Sequence, residues 1–473
     1  MLALVLIAPA VAGTLAILMR SRIVGRSLLI GTAVLYLTAA AVWIGNNSAP
    51  VPAAVSAYFA VDGIGRLFFA IMAVVFAASA IYSLAYLRVH PMAPRQEGLY
   101  SGMMILFADA MAGVLTSNHL ALLWVFVEAT TLTSAVLIYT ERSKASLEAA
   151  WKYIFICSVG IALAFVGIIL ITIGSGSIGT LSLTVLYRRS AEINPFWLKL
   201  AFAFILIGFG TKTGLAPVHA WLPDAHSEAP SPVSAILSGA LLNTAFLGLV
   251  RVNEILIRAH LALFSNTLLR IVGFLSLFIA AVYMFSARNY KRMLAYSSIE
   301  NMGILCIGVT LGPAGMFAAM IQAAAQSFAK ASLFLTSGTI LSRYGTRRID
   351  GVRGLLRADA ATGWLWLISL FAAMGLPPFP TFLGKFLIVR AFFESGAGWM
   401  AAPFLLVIVL VIAGMAKVGF SMLFGDAPPI VHEHRDAAAY VPQILLVLLL
   451  VSLGVTLPNW ALAAFHAATG FAG

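Results

Sequence analysis

FGTKTGLAP, residues 209–217, breaks an otherwise apolar run with a lysine, two glycines and a proline. Proline removes a backbone donor and frees a carbonyl one turn back. Within a bilayer such loose groups are tolerated only where protein or a water-filled cavity satisfies them. The stretch therefore reads as a broken membrane helix beside a cavity. MGLPPFPTFLGK, residues 374–385, repeats the pattern later in the chain. Broken helices at corresponding places in two halves point to the working site of a transporter.

The flanking sequence supports a lipid environment. Of 473 residues, 62% are hydrophobic and 10% charged, with a mean hydropathy of +1.00, whereas soluble domains carry roughly a quarter charged residues. Spans are predicted over 2–19, 27–45, 64–87, 99–117, 119–139, 153–174, 196–213, 233–250, 266–287, 294–311, 314–341, 361–376 continuing broken to 393, 402–424 and 440–457. That is about fourteen crossings at the bilayer length. The predicted fold is an all-α membrane protein. Residues 1–98 hold the N-terminal helices. Residues 99–250 and 251–425 form two inverted five-helix repeats with broken seventh and twelfth helices. Residues 426–473 hold the last helix and tail. The run Leu2 to Met19 lacks a basic start and ends in Arg20 and Arg22, so it reads as a retained span and not a signal peptide.

The formal charge of +12 does not imply nucleic acid. Its basic residues fall in alternate loops: Arg20, Arg22 and Arg26; Arg88 and Arg95; Arg142 and Lys144; Arg288, Lys291 and Arg292; Arg343 to Arg357. The positive-inside rule makes these loops cytoplasmic. An even span number then puts both termini outside, in the inner membrane of a prokaryote. Cys157 and Cys306 stand alone in apolar runs, so neither an iron–sulfur cluster nor structural zinc is expected. No cofactor or metal is assigned to the chain, and redox chemistry is left to partner subunits. His90, His119, His219, His226, His260, His432, His434 and His466 fall near predicted span ends and read as interfacial, with His432-x-His434 only a weak metal pair. The acidic, proline-rich PVHAWLPDAHSEAPSPVSA reads as a docking or gating loop.

Charges in the membrane are costly and usually pair, face a cavity or form a proton relay. Those retained are Asp109, Glu128, Lys152, Lys212, Glu300, Lys330, Lys385 and Lys417. Glu128 has no charged residue within eight positions, so its partner must come from another helix, and Lys212 is the natural candidate. Burial favours the neutral form of each and an opposite charge the ionised form, so a small change in separation moves a proton. Static pairing of helices is the plainer alternative. Lys212 and Lys385 adjoin the breaks, where freed carbonyls and water can solvate an ammonium group. Lys330 shares a helix face with Gln322 and Gln326, a stripe fit for a water chain or for a hydrogen-bonded seam. Lys152 and Lys417, near helix ends, fit snorkelling equally well. Asp109 fits a buried hydrogen-bonding group.

HAWLPDAHSEAPSPVSA, WVFVEATTLTSAVLI, NYKRMLAYSSIENMG and GLPPFPTFLGKFLI together resemble the proton-translocating, antiporter-like subunits of respiratory complex I and their relatives, over most of residues 60–425. AAWKYIFICSVGIALAF, SGALLNTAFLGLVR and YSSIENMG are most similar to component F of the group 4 hydrogenase and formate hydrogenlyase complexes. The resemblance implies a proton path through Glu128, Lys212, Lys330 and Lys385. Asp109, Lys152, Ser238, Asn243, Lys291, Glu300, Gln322 and Gln326 have secondary places on it. It also implies partner membrane and peripheral subunits of a redox complex, besides lipid. Ser238, Gln322 and Gln326 depart from the family by standing where titratable residues are common, and hydroxyls and amides do not store a proton near neutral pH. A cation/proton antiporter, an inorganic-carbon uptake module and a transport-inactive scaffold are the alternatives.

Overall fold

Helix boundaries follow the local chemistry of their first and last residues. Pro94, Pro195 and Pro380 open helices in the first turn, where no backbone donor is missed. Asp62 caps the helix that follows it by accepting from the Gly65 amide at 2.8 Å. The computed structural model describes residues 1–45, 53–426 and 437–470. The His432-x-His434 pair lies outside the described residues.

The chain runs through α1 (Leu2–Met19), α2 (Arg22–Gly45), α3 (Ala53–Ser56), α4 (Gly63–Val89), α5 (Pro94–Thr116), α6 (Leu120–Ile138), α7 (Lys144–Ser175) and α8 (Leu183–Arg188). It continues with α9 (Pro195–Thr213), α10 (Trp221–Glu228), α11 (Ser231–Ile236), α12 (Leu242–Arg258), α13 (Ala262–Ser286), α14 (Tyr290–Gly308) and α15 (Gly312–Tyr344). The last elements are α16 (Leu355–Ala358), α17 (Ala360–Met374), α18 (Pro380–Glu394), α19 (Ala401–Leu423), α20 (Tyr440–Val455) and α21 (Asn459–Thr469). A π-turn, Leu237–Leu241, joins α11 to α12. Among the described residues, eleven helices are long and apolar enough to cross a membrane. Helices α14, α15 and the pair α17/α18 are not among them, and they carry Glu300, Lys330 and Lys385.

Helices α4, α11, α12, α14 and α15 form a buried inner group. α1, α7, α13 and α19 instead turn large apolar side chains outward, including Leu18, Phe155, Phe278 and Leu406. Only lipid or an apolar partner suits such a surface. The chain is thus a multi-pass membrane protein.

Both predicted breaks are present. α9 ends at Gly214 with φ +78° and α17 ends at Gly375 with φ +83°, the left-handed region that glycine occupies without a Cβ clash. The freed carbonyls find protein partners. Trp221 Nε1 donates to the Thr211 carbonyl at 2.8 Å, which gives the tryptophan of HAWLPDAH a structural task. In the second break Thr381 Oγ1 donates to the Ala372 carbonyl, and Lys385 Nζ donates to the Met374 carbonyl at 3.2 Å.

The structure corrects two expectations. α7 starts at Lys144, well before the predicted span, because Ser143 and Ser146 cap it reciprocally at 2.9 Å. The stretch read as a docking or gating loop is mostly helical: α10 and α11 are packed into the protein. Its acids are half-buried and are paired with cations from distant segments. Asp224 pairs with Lys152 at 3.2 Å and Arg292 at 2.8 Å, and Glu228 pairs with Arg347 at 2.8 Å. Arg347 also holds Glu141 at 2.8 Å.

Candidate functional site

Two charged clusters lie beside the two breaks. In the first, Glu128 on α6 accepts from Ser158 Oγ of α7 at 3.0 Å and from Thr131 Oγ1 at 3.3 Å. Lys212, the penultimate residue of α9, is wholly buried. It donates to Thr131 Oγ1 at 2.9 Å and to the Tyr153 hydroxyl at 2.5 Å. Its ammonium also lies 4.7 Å from the Tyr153 ring centre, a cation–π contact. Ser134 Oγ holds the Tyr153 hydroxyl at 2.6 Å. Glu128 and Lys212 are therefore joined through a hydroxyl and not by direct contact. Thr131 and Ser134 follow Glu128 at helical spacing, so one face of α6 supplies the acid and two hydroxyls.

The second cluster is closed. Lys385 Nζ lies 2.9 Å from Glu300 Oε1, with Glu300 on α14 fully buried. Asn301 Nδ2 donates to Glu300 Oε2 at 2.8 Å, and Gln322 Nε2 of α15 donates to Asn301 Oδ1 at 2.7 Å. Solvation of an ammonium by a freed carbonyl, expected at both breaks, holds for Lys385 on Met374; Lys212 rests on hydroxyls instead.

The segment Ser297–Asn301 links the second cluster to the centre of α15. Lys330 Nζ donates to Ser297 Oγ and reaches the Leu294 carbonyl at 3.5 Å. Asn301 Nδ2 also donates to the Ser297 carbonyl at 2.8 Å. Ser298 Oγ meets Ser238 Oγ at 2.7 Å, which places Ser238 in the π-turn beside α14. One turn of SSIEN thus contacts Lys330, Ser238, Lys385 and Gln322. Gln326 Nε2 donates to Asn243 Oδ1 at 3.2 Å, and Asn243 Nδ2 donates to Ser327 Oγ at 2.6 Å. Lys291 is buried with its ammonium on the Ala229 carbonyl at 2.7 Å.

Three candidates stand away from these contacts. Asp109 of α5 faces Tyr36 of α2. Lys152 has a half-exposed side chain paired with Glu148 at 2.7 Å as well as with Asp224. Lys417 is exposed on α19. Sequence reading missed Thr131, Tyr153, Ser297 and Asn301; helical spacing from Glu128 points to Thr131, and adjacency to Glu300 points to Asn301. It also placed every histidine at an interface, but His226 is wholly buried. Among the described residues no group of three or more metal-ligating side chains occurs.

A multi-pass membrane protein with two broken helices and a buried row of acids and lysines is what these observations define. The chain belongs to the NADH:quinone oxidoreductase/Mrp antiporter transmembrane family, which matches residues 117–413. It is 33% identical over 415 residues to the hydrogenase-4 component F homolog of Methylacidiphilum infernorum (isolate V4), a match covering 85% of this chain and 86% of that protein. A chain of the membrane-bound sulfane sulfur reductase, an archaeal respiratory membrane complex, has the same fold with a TM-score of 0.89 at 22% identity, over 100% of this chain and 97% of that one. A chain of respiratory complex I from Thermus thermophilus with bound NADH gives a TM-score of 0.84 at 25% identity, over 100% and 99%. These likenesses agree with the resemblance carried by HAWLPDAHSEAPSPVSA and SSIENMG.

Proposed function

We propose that this chain is the proton-translocating membrane subunit of a multisubunit redox complex, of the hydrogenase-4 or complex I-like kind. The observation that carries the reading is the contrast between two acid–lysine pairs at two helix breaks, one buried and in direct contact, the other a buried lysine held apart from a half-buried acid by a hydroxyl. Direct contact favours the doubly ionised state, and separation in a poorly solvated site favours the neutral one. A pair that alternates between these geometries takes up and releases a proton. Glu128, Thr131 and Lys212 form one exchange site; Lys330, Ser297, Glu300 and Lys385 form the other. Ser238, Asn243, Gln322 and Gln326 supply hydrogen bonds without storing charge.

The basic loops then lie on the cytoplasmic side of a prokaryotic inner membrane, with both termini opposite. The chain holds no redox cofactor of its own, and electrons travel in its partner subunits. The drive for transport comes from those partners.

The test is electron-driven proton flux in inverted vesicles that contain the whole native complex. Lys212→Ala and Glu128→Gln, compared at matched assembly, are expected to lower flux about 10-fold or more, the scale at which positioned proton-transfer groups act. Unchanged flux in both would make the subunit a scaffold. Flux that required sodium and persisted without electron donor would make it an antiporter.

A further inference from the structure

Behind α15, on the side away from Gln322, Gln326 and Lys330, lies a cavity lined by none of the charged residues. Its volume is about 220 Å³, and α2, α4, α15, α20 and α21 form its walls. Ala324 and Phe328 are its floor. Each stands two positions from a member of the polar row, and two residues turn a helix by about 200°. One face of α15 therefore meets the charges and the opposite face meets this space. Alanines leave the room for it: Ala41 on α2, Ala70 on α4, and Ala461 and Ala464 on α21 all border the cavity, where a larger side chain would fill it.

Chemistry and position together say what fills it. Trp460 is the one lining residue whose side chain carries a hydrogen-bonding group. Water in a cavity needs polar partners, and apolar cavities stay dry or take up apolar molecules. An empty space forfeits the dispersion contacts of its walls. The opening faces the lipid side: Phe328 on the floor is 5% exposed, whereas Leu37 and Trp460 on the rim are 39% and 52% exposed. α20, which gives Leu449 and Leu453 to the wall, turns Leu445 and Leu448 outward. Trp460 lies just beyond the end of α20 that points away from the basic loops, the level at which indoles mark a membrane–water boundary. Phe328 stands at the middle of α15. The cavity thus runs from the boundary into the hydrocarbon layer. A helix about 10 Å across is too wide for it.

We propose that this cavity binds one acyl chain of a membrane phospholipid, which enters beside Trp460 and packs against the back of α15. A narrow, apolar space that opens on lipid at one end and stops in the middle of the bilayer matches a hydrocarbon chain in shape, chemistry and course. The polar head stays at the boundary with the Trp460 indole. The chain supports from behind the helix whose front holds Lys330, and it touches no charged group. The inference stands apart from the proton-translocating reading and holds equally for a scaffold subunit.

The test is photolabelling of the whole complex in vesicles of phosphatidylcholine that carries a diazirine near the methyl end of one acyl chain. Labelled positions are located by mass spectrometry, with the outward residues of α7 and α19 as the reference. The proposal expects label on Ala324 and Phe328, which are otherwise shut away from lipid. Ala464→Phe puts a ring into the cavity and should abolish that label while the reference label is unchanged. Ala324 and Phe328 left unlabelled beside a labelled reference would overturn the proposal, and this is the result if a partner subunit's side chain fills the space. Label that persists on them in Ala464→Phe would overturn it too. Should that variant not assemble, Ala41→Phe at the rim is read in the same way. Proton flux takes no part in the readout, so either failure leaves the proposed function standing.

Discussion

The two acid–lysine pairs share their chemistry but not their geometry. Glu300 and Lys385 touch at 2.9 Å in a buried setting, while Glu128 and Lys212 are kept apart by the Thr131 hydroxyl. A buried ion pair in contact is tied to its ionised state, because removing either partner strands the other charge. A hydroxyl-bridged pair is freer, since Thr131 donates to the acid and accepts from the amine. The first cluster thus stands in the separated geometry and the second in the contact geometry, and exchange at the second requires that the 2.9 Å contact be broken.

The largest expected effect follows from that difference. Lys385→Met strands the Glu300 carboxylate and is expected to destabilise the complex by about 3–5 kcal/mol. Lys212→Met leaves neutral hydroxyls behind and should cost about 1–3 kcal/mol. Thermal midpoints of the purified variants measure both, and equal losses would erase the distinction between the pairs. Combining Glu300→Gln with Lys385→Met should recover much of the stability, as expected for residues in contact, while proton flux stays low.

Thr131→Val comes next. It removes the bridge without changing shape, so flux should drop about 10-fold with a stability loss of about 1 kcal/mol. Thr131→Ser should restore both, and a valine variant that pumps normally would show that the hydroxyl is incidental. Tyr153→Phe is expected to be milder, since the ring stays under the Lys212 ammonium and only the hydroxyl contact is lost, about 1 kcal/mol. At the bottom of the scale, Lys417→Ala should leave stability within about 0.5 kcal/mol and flux unchanged in the same assays.

Much of this architecture was legible in the sequence, for physical reasons that also explain the misreadings. Proline and glycine act locally, so both breaks could be read directly from residues 209–217 and 374–385. Charges in an apolar run stand out, so Glu128, Lys212, Lys330 and Lys385 were visible, and Glu300 was seen but ranked below its partner. Interhelical contacts leave no such trace. Nothing local to Thr131 or Ser297 shows that a lysine from another helix will rest on it. α10 was misread because Asp224 and Glu228 make it look solvated; the cations that neutralise them come from α7, α14 and the segment after α15. His226 was assigned to an interface for the same reason.

The most direct test of the charged axis lies at Lys330, whose contact with Ser297 ties the centre of α15 to the Glu300–Lys385 pair. Protons moved per electron by the intact complex in inverted vesicles should fall in Lys330→Met at matched assembly, while electron transfer continues or slows with it. An unchanged ratio with full electron transfer would contradict proton passage through this subunit.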